Sequence, residues 1–364
     1  MNITIKKIFD GYIRFVSHVR FQIAFVTLAI LCFFLIISVP LFKYHSTNAY
    51  PSLEYFVPQP QSIAQKQVVI NTGLFIKDFI EFDIDKNNFL VDAIIWFEFN
   101  PSRISLDTLD KFSFEKGAII YKSKPEIRFN KGNILAKYNI RLKFSTNLNH
   151  KFFPFNDHTI HIVLTNEFVA PSEMAYSCVA SSFETSKNMH TAGWKLIGEK
   201  VESGYSTSKL DEIEKSREAS YPRVVFSMPF KKPGLRKLLL ILVPVFLLFL
   251  LAVFSMSIDP MTMPDAKLSL TTGALAGLLT YRFVIERVSP KVSYTTITDN
   301  IYTLILTNTF LLFLFNIYLV TQFKKKQKLS SIEQFIHRTF FILILLSTII
   351  ILYMLVNKYS LINE

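Results

Sequence analysis

The chain alternates between two kinds of hydrophobic pattern. Residues 21–42, "FQIAFVTLAILCFFLIISVPLF", are uncharged and nearly continuous in apolar character, long enough to cross a hydrocarbon core that needs roughly 20 residues. Three more stretches of this kind lie at about 238–258, 301–323 and 339–356. A fifth, 267–288, has the length of a span but mixes in serine, threonine, glycine, arginine and glutamate. Between the first stretch and the others the pattern changes to short β-branched and aromatic runs, punctuated by Asn, Asp, Gly and Pro. "KQVVINTGLFIKDF", "NNFLVDAIIWFEF", "NILAKYNIRLKFS", "HTIHIVLTN", "GWKLIGEKVES" and "YPRVVFSMPF" read as strands, several with a period of two. "DIDKNN" at 83–88 and "KFFPFND" at 151–157 read as turns between them.

These patterns predict an all-β sandwich, antiparallel throughout, joined to an α-helical membrane bundle. The domain plan is a short N-terminal segment (1–20), an N-terminal membrane anchor (21–42), a Pro- and Gln-containing linker (43–65), the β domain (66–232) and the main membrane domain (233–364). A cleaved signal peptide competes for 21–42, but the apolar run exceeds the roughly 7–15 residues of a signal core, so an uncleaved anchor is expected.

Charge fixes the expected orientation. Lys6, Lys7, Arg14 and Arg20 precede the anchor, and Lys324, Lys325, Lys326, Lys328 and Arg338 lie between the last two spans. Basic loops favour the cytoplasmic side. Both clusters can be cytoplasmic only if 267–288 also crosses. The expectation is a cell-membrane protein with five spans, a cytoplasmic N-terminus, and an extracytoplasmic β domain and C-terminus. The basic "KKPGLRK" then falls on the outer side, a mild exception.

Half of the 364 residues are hydrophobic and the net charge is +12. The basic runs flank apolar segments, which points to a lipid bilayer rather than nucleic acid. Cys32 and Cys178 lie far apart, so no disulfide framework or thiolate metal site follows. His158 and His161 sit three apart in a strand, placing their side chains on opposite faces. No phosphate-binding loop, zinc spacing or nucleophile elbow is present. No cofactor or metal is expected, and an enzymatic role has no support.

Helical spacing through 267–288 separates two stripes. Ser269, Gly273, Ala276, Thr280, Phe283 with Val284, and Arg287 form one, while Leu270, Ala274, Leu275, Leu278, Tyr281 and Ile285 form the other. The first suits a water-facing path. Gly273 and Gly277 suit a close-packed helix pair equally well. Arg282, Glu286 and Arg287, near the outer interface, are partly explained by snorkelling.

Several motifs, taken in order, resemble one family. "FPFNDHTIHI" at 153–162 is similar to the signature loop between two strands of the pentameric ligand-gated ion channel superfamily, where Phe-Pro-Phe-Asp is usual. Thr146 and Ile160 stand where animal receptors have the bracketing cysteines, as is usual in the bacterial branch. "FLVDAIIWFEF" places Trp96 at the second strand's tryptophan. "YPRVVFSMPFKKPG" resembles the last strand entering the first channel helix, with Lys232 where arginine is common, and "ERVSPKVSYTTITD" resembles the end of the pore helix and its linker. The resemblance covers residues 66–356. The anchor at 21–42 is an addition, and the signature aspartate is replaced by Asn156, with Asp157 following.

The resemblance implies a four-helix channel-type membrane domain and a homopentamer, in which each chain meets four further copies of itself and conducts permeant ions. It implies a pore lined by Asp265, Ser269, Gly273, Ala276, Thr280, Phe283, Val284 and Arg287, with Phe283 as hydrophobic gate and a lean toward cations from Asp265 at the inner mouth. It implies a gating interface of Asp83, Asp85, Asn156, Asp157, Lys232, Lys291 and Tyr294. An agonist, either a small molecule or a proton, would bind near Phe168, Tyr176 and Tyr205. With Trp96 and Trp194 the only tryptophans, a cationic amine is disfavoured. The alternative is a non-conducting membrane sensor or scaffold on the same fold.

Overall fold

The structure, a computed structural model, describes residues 11–12, 15–16, 18–43, 51, 67–130, 132–155, 157–209, 218–231, 236–260, 262–326 and 331–361. Contacts divide the chain into two compact units. One comprises residues 1–44, 150–156 and 234–364, the other 45–149 and 157–233.

The second unit is built from β1 (Val68–Asp83), β2 (Asn88–Phe99), a one-turn helix α2 (Leu106–Leu109), β3 (Ser113–Phe114), β4 (Gly117–Lys122), β5 (Glu126–Asn130), β6 (Asn133–Phe144), β7 (His158–Thr165), β8 (Met174–Ser177), β9 (Phe183–Thr185), β10 (Lys195–Leu196), β11 (Lys200–Lys209) and β12 (Glu218–Lys231). Seven strands form one sheet in the order β4-β6-β2-β1-β8, with β5 also on β6 and β9 also on β1. Five form the other in the order β10-β12-β7-β3, with β11 on β12. β2 shows why the alternation was readable: Phe89, Val91, Ala93, Ile95, Phe97 and Phe99 are buried, and every residue between them is partly exposed. The two sheets share one core. Phe82 of β1 meets Phe230 of β12 at 5.0 Å between ring centres, and Phe183 of β9 meets Phe226 at 5.1 Å. Aromatic pairs at such distances add to the burial of their area.

The β1–β2 hairpin turns at 84–87 with Asn87 at φ 53°, a conformation that asparagine tolerates better than most residues. Asp83 fixes this turn by accepting from the Lys86 N–H at 2.9 Å. At Gly73 an added Cβ would lie 2.3 Å from the Trp96 ring and 2.5 Å from the Ser182 carbonyl, so only glycine lets the indole lie across β1. The sheets are not antiparallel throughout, as the sequence led us to expect. β8 and β9 pair with β1 in parallel. After β7 the chain returns to the first sheet alongside β1, in strands of four and three residues. Such strands are too short to carry a readable alternation.

The first unit contains α1 (Val19–Lys43), α3 (Arg236–Phe254), α4 (Pro264–Val288), α5 (Ile297–Lys326) and α6 (Ser331–Leu361). All five are long and apolar enough to cross a membrane, and the protein is read as a membrane protein. α4 packs on α3 and α5, α5 on α3 and α6, and α1 on α6.

Within a bilayer backbone polar groups need partners supplied by the protein, and side chains of the first unit supply several. Pro244 inside α3 has no N–H for the Leu240 carbonyl, and Tyr281 of α4 donates its hydroxyl there at 2.5 Å. Lys267, fully buried, donates to the carbonyls of Ser255 and Ile258 at 3.0 and 3.2 Å. Asn316 of α5 donates to Ser255 Oγ at 2.8 Å, and Asn308 of α5 to Thr348 Oγ1 of α6 at 2.7 Å. Replacing Tyr281 with Phe should lower helical-unit stability by about 1 kcal/mol, the scale of interhelical hydrogen bonds in bilayers. The measurement is the midpoint of helix loss in a denaturing-detergent titration. An unshifted midpoint would mean that the Leu240 carbonyl finds another donor.

Candidate functional site

α4 starts at Pro264, the residue type suited to a first turn. Its faces divide by burial. Ala274, Leu278 and Ile285 are buried and Leu270, Leu275 and Tyr281 half-buried. Asp265, Ser269, Gly273, Ala276, Thr280, Phe283, Val284 and Arg287 are all exposed, Phe283 to 72%. Thr272 and Leu279 share the exposed face and lie outside both stripes drawn from the sequence. Thr280 satisfies its hydroxyl on the Ala276 carbonyl at 2.9 Å. The two glycines differ. A Cβ on Gly277 would meet Leu248 of α3 at 2.8 Å, whereas one on Gly273 would meet nothing within 4 Å. Gly277 is therefore a packing glycine, and Gly273 is not one within this chain.

Arg282 is held by more than the snorkelling that partly explains it. Its guanidinium reaches Asp299 of α5 at 2.7 Å and Glu286 one turn on at 3.0 Å, and lies 5.4 Å from the Tyr302 ring centre. Asp299 is itself held in a reciprocal cap: it accepts from the Thr296 N–H and hydroxyl at 2.9 and 2.8 Å, while its own N–H donates to Thr296 Oγ1 at 3.3 Å. Sequence reasoning missed Asp299. The Thr-x-x-Asp spacing ahead of an apolar run, a capping-box pattern, was the available signal.

The segment joining β6 to β7 belongs to the helical unit. Phe152, Phe153 and Phe155 are buried in the same cluster as Leu238, Ile297 and Ile301. The Ile297 N–H donates to the Lys151 carbonyl at 2.9 Å, and Thr298 Oγ1 to the Phe153 carbonyl at 2.8 Å. The His150 N–H donates to the Tyr294 hydroxyl at 2.8 Å. Lys237 Nζ stands 4.7 Å from the Phe153 ring centre. Of the interface residues drawn from the sequence, Tyr294 is thus brought onto the segment joining β6 to β7. Lys291 is exposed, and Asp85 and Asp157 are half-buried. Asp83 pairs with Lys86 at 2.9 Å. Burial opposes the Asp83 charge, but the hydrogen bonds and attraction from Lys86 hold its carboxyl below the usual range. Asn156 and Lys232 lie outside the described residues.

The three aromatic ligand candidates do not form a box. Phe168 is 69% exposed, with Lys111 Nζ 5.0 Å from its ring centre. Tyr205 is half-buried on β11, opposite Pro222. Tyr176 is 3% exposed, its ring 6.1 Å from Phe97 in the shared core. β8 turns it into the core, whereas the Phe168 ring is exposed. Burial also raises the Tyr176 phenol well above its ordinary value.

His158 and His161 are both buried. His158 lies 5.8 Å from Trp194 between ring centres, and His161 Nδ1 is 2.9 Å from Ser227 Oγ. Among the described residues no group of three or more His, Cys, Asp and Glu is placed to hold a metal. No model of a known protein family matches the chain, and no curated protein matches it.

Burial pushes the His161 pKa down to about 4, with Glu202 raising it and Lys200 lowering it further. The folded chain therefore stays unprotonated there between pH 6.5 and 4, while the unfolded chain takes up a proton. Stability falls across that window on acidification, by about 3 kcal/mol at 1.36 kcal/mol per unit. Trp96 and Trp194 both lie in the second unit, so their fluorescence follows its unfolding. His161→Gln should flatten the stability–pH slope between pH 4 and 6.5, and an unchanged slope would assign it to other groups.

Proposed function

We propose that the chain is one subunit of a homopentameric ligand- or proton-gated ion channel, with α4 lining the pore. The observation that carries this reading is the exposed face of α4. It presents Asp265, Ser269, Thr272, Thr280, Glu286 and Arg287 on a helix fit to cross a bilayer. Ionisable groups in a span are costly against lipid and ordinarily face a cavity, water or one another. Five copies turned so that this face points inward would enclose a wet path, with Asp265 forming an acidic ring at the cytoplasmic mouth and Arg287 a basic ring outside.

In this reading α3–α6 are the four channel helices and α1 is an added anchor. The N-terminus is cytoplasmic, and the β unit and C-terminus are outside. The phenylalanine loop between β6 and β7 supports it too. It is hydrogen-bonded to Tyr294, Ile297 and Thr298, just beyond the outer end of α4. A rearrangement of the strands would pull on the segment joining α4 to α5, in the manner of a two-state switch.

Native mass of the detergent-solubilised full-length protein should give five subunits. In a background lacking Cys32 and Cys178, Thr280→Cys should react with a water-soluble thiol reagent. Protection of that cysteine in every condition, or a monomeric or dimeric mass, would return the small-residue face to helix packing and favour the sensor or scaffold. Within a conducting pentamer, Phe283→Ala should raise the resting leak in single-channel or flux recordings. An unaltered leak would remove Phe283 as the gate.

A further inference from the structure

α1 packs along α6, and it touches α3 through Phe33, whose ring meets Phe246 edge-on at 4.5 Å. Around this contact the two helices leave a cleft of about 200 Å³, lined by residues of α1 between 30 and 37 and of α3 between 243 and 250. Phe33, Ile37 and Phe246 form its floor, and the exposed Phe34 and Leu247 its rim. Every lining residue is aliphatic or phenylalanine. Both walls lie inside stretches apolar and long enough to span a membrane, so the cleft opens at hydrocarbon depth.

We infer that this cleft is a binding site for one acyl chain of a bilayer phospholipid. Water is excluded because a bound water needs two to four polar partners, and wholly apolar cavities of about 150 Å³ stay dry and take up apolar guests. A fatty-acid carboxylate or any polar ligand finds no donor in the lining. Left empty, the Phe and Leu side chains would lose dispersion contacts on one side. The surrounding medium holds one abundant guest of the right section, a lipid tail. The volume takes a run of several methylenes, which gain far less on leaving other lipid than on leaving water. Selection therefore comes from shape, and the guest is the tail of a lipid whose headgroup stays at the interface. The inference rests on the spans alone and is independent of conduction.

The test uses full-length protein in phosphatidylcholine vesicles doped with a phosphatidylcholine carrying a diazirine midway along one tail. After irradiation, peptide mapping should place adducts on 30–37 and 243–250 at several-fold the density on Leu311 of α5 and Leu346 of α6, which are equally open to lipid. Leu247→Trp, which fills the rim, should bring cleft adducts down to that level while leaving the α5 and α6 labelling unaltered. Leu250→Phe provides the same filling should the tryptophan variant fail to fold. Even labelling of all faces, cleft labelling that survives both filling variants, or cross-links between copies at these residues would each overturn the site. Displacement of the adducts by equimolar oleic acid would assign the cleft to a free fatty acid and overturn it as stated.

Discussion

Burial of Phe152, Phe153 and Phe155 among the helices is the interaction on which the arrangement depends. These residues lie on the segment that leads from β6 into β7, yet their side chains are core for the helical unit. Full burial of a phenylalanine is worth roughly 1.5–3 kcal/mol, so three of them anchor the segment firmly. The backbone bonds to Ile297 and Thr298 then fix it against the first turn of α5. That turn is also where Thr296 and Asp299 cap the helix and where Arg282 of α4 arrives. One short stretch of chain thus collects an apolar plug, a helix cap and an ion pair.

Several polar groups inside the helical unit are met by a partner from another turn or another helix. The Lys267 ammonium lies against the Ser255 and Ile258 carbonyls just past the end of α3, so acceptors near a helix terminus meet the donor of a buried cation. Asn316 and Asn308 do the same for hydroxyls of neighbouring elements. Such contacts specify which helices lie side by side, a choice that apolar packing among leucine-rich surfaces leaves open.

Much of this was legible in the sequence where one face of an element is buried. β2 and β6, the five apolar helices, and the two stripes of α4 all follow from period-two or helical spacing. What escaped lacked periodicity. β8 and β9 are too short, and β4 and β5 expose Ile120, Tyr121, Ile127 and Phe129, so their pattern shows no buried face. Tyr176 read as a ligand candidate because a single tyrosine carries no direction until β8 is placed beside β1. Arg282 was only partly explained because its partner is 17 positions away, beyond the reach of any local rule. The glycine pair was ambiguous because spacing alone cannot tell a residue that packs from one that faces open space.

The hydroxyl of Tyr281 and the carbonyl released by Pro244 have a geometric consequence for α4. A hydrogen bond of this kind weakens steeply once its angle opens, and a helix turns its side chains by about 100° per residue. Any roll of α4 about its own axis carries the phenol off the Leu240 oxygen. The proline notch in α3 therefore works as an angular detent. It holds the rotational setting of α4, and hence the direction in which Phe283 points.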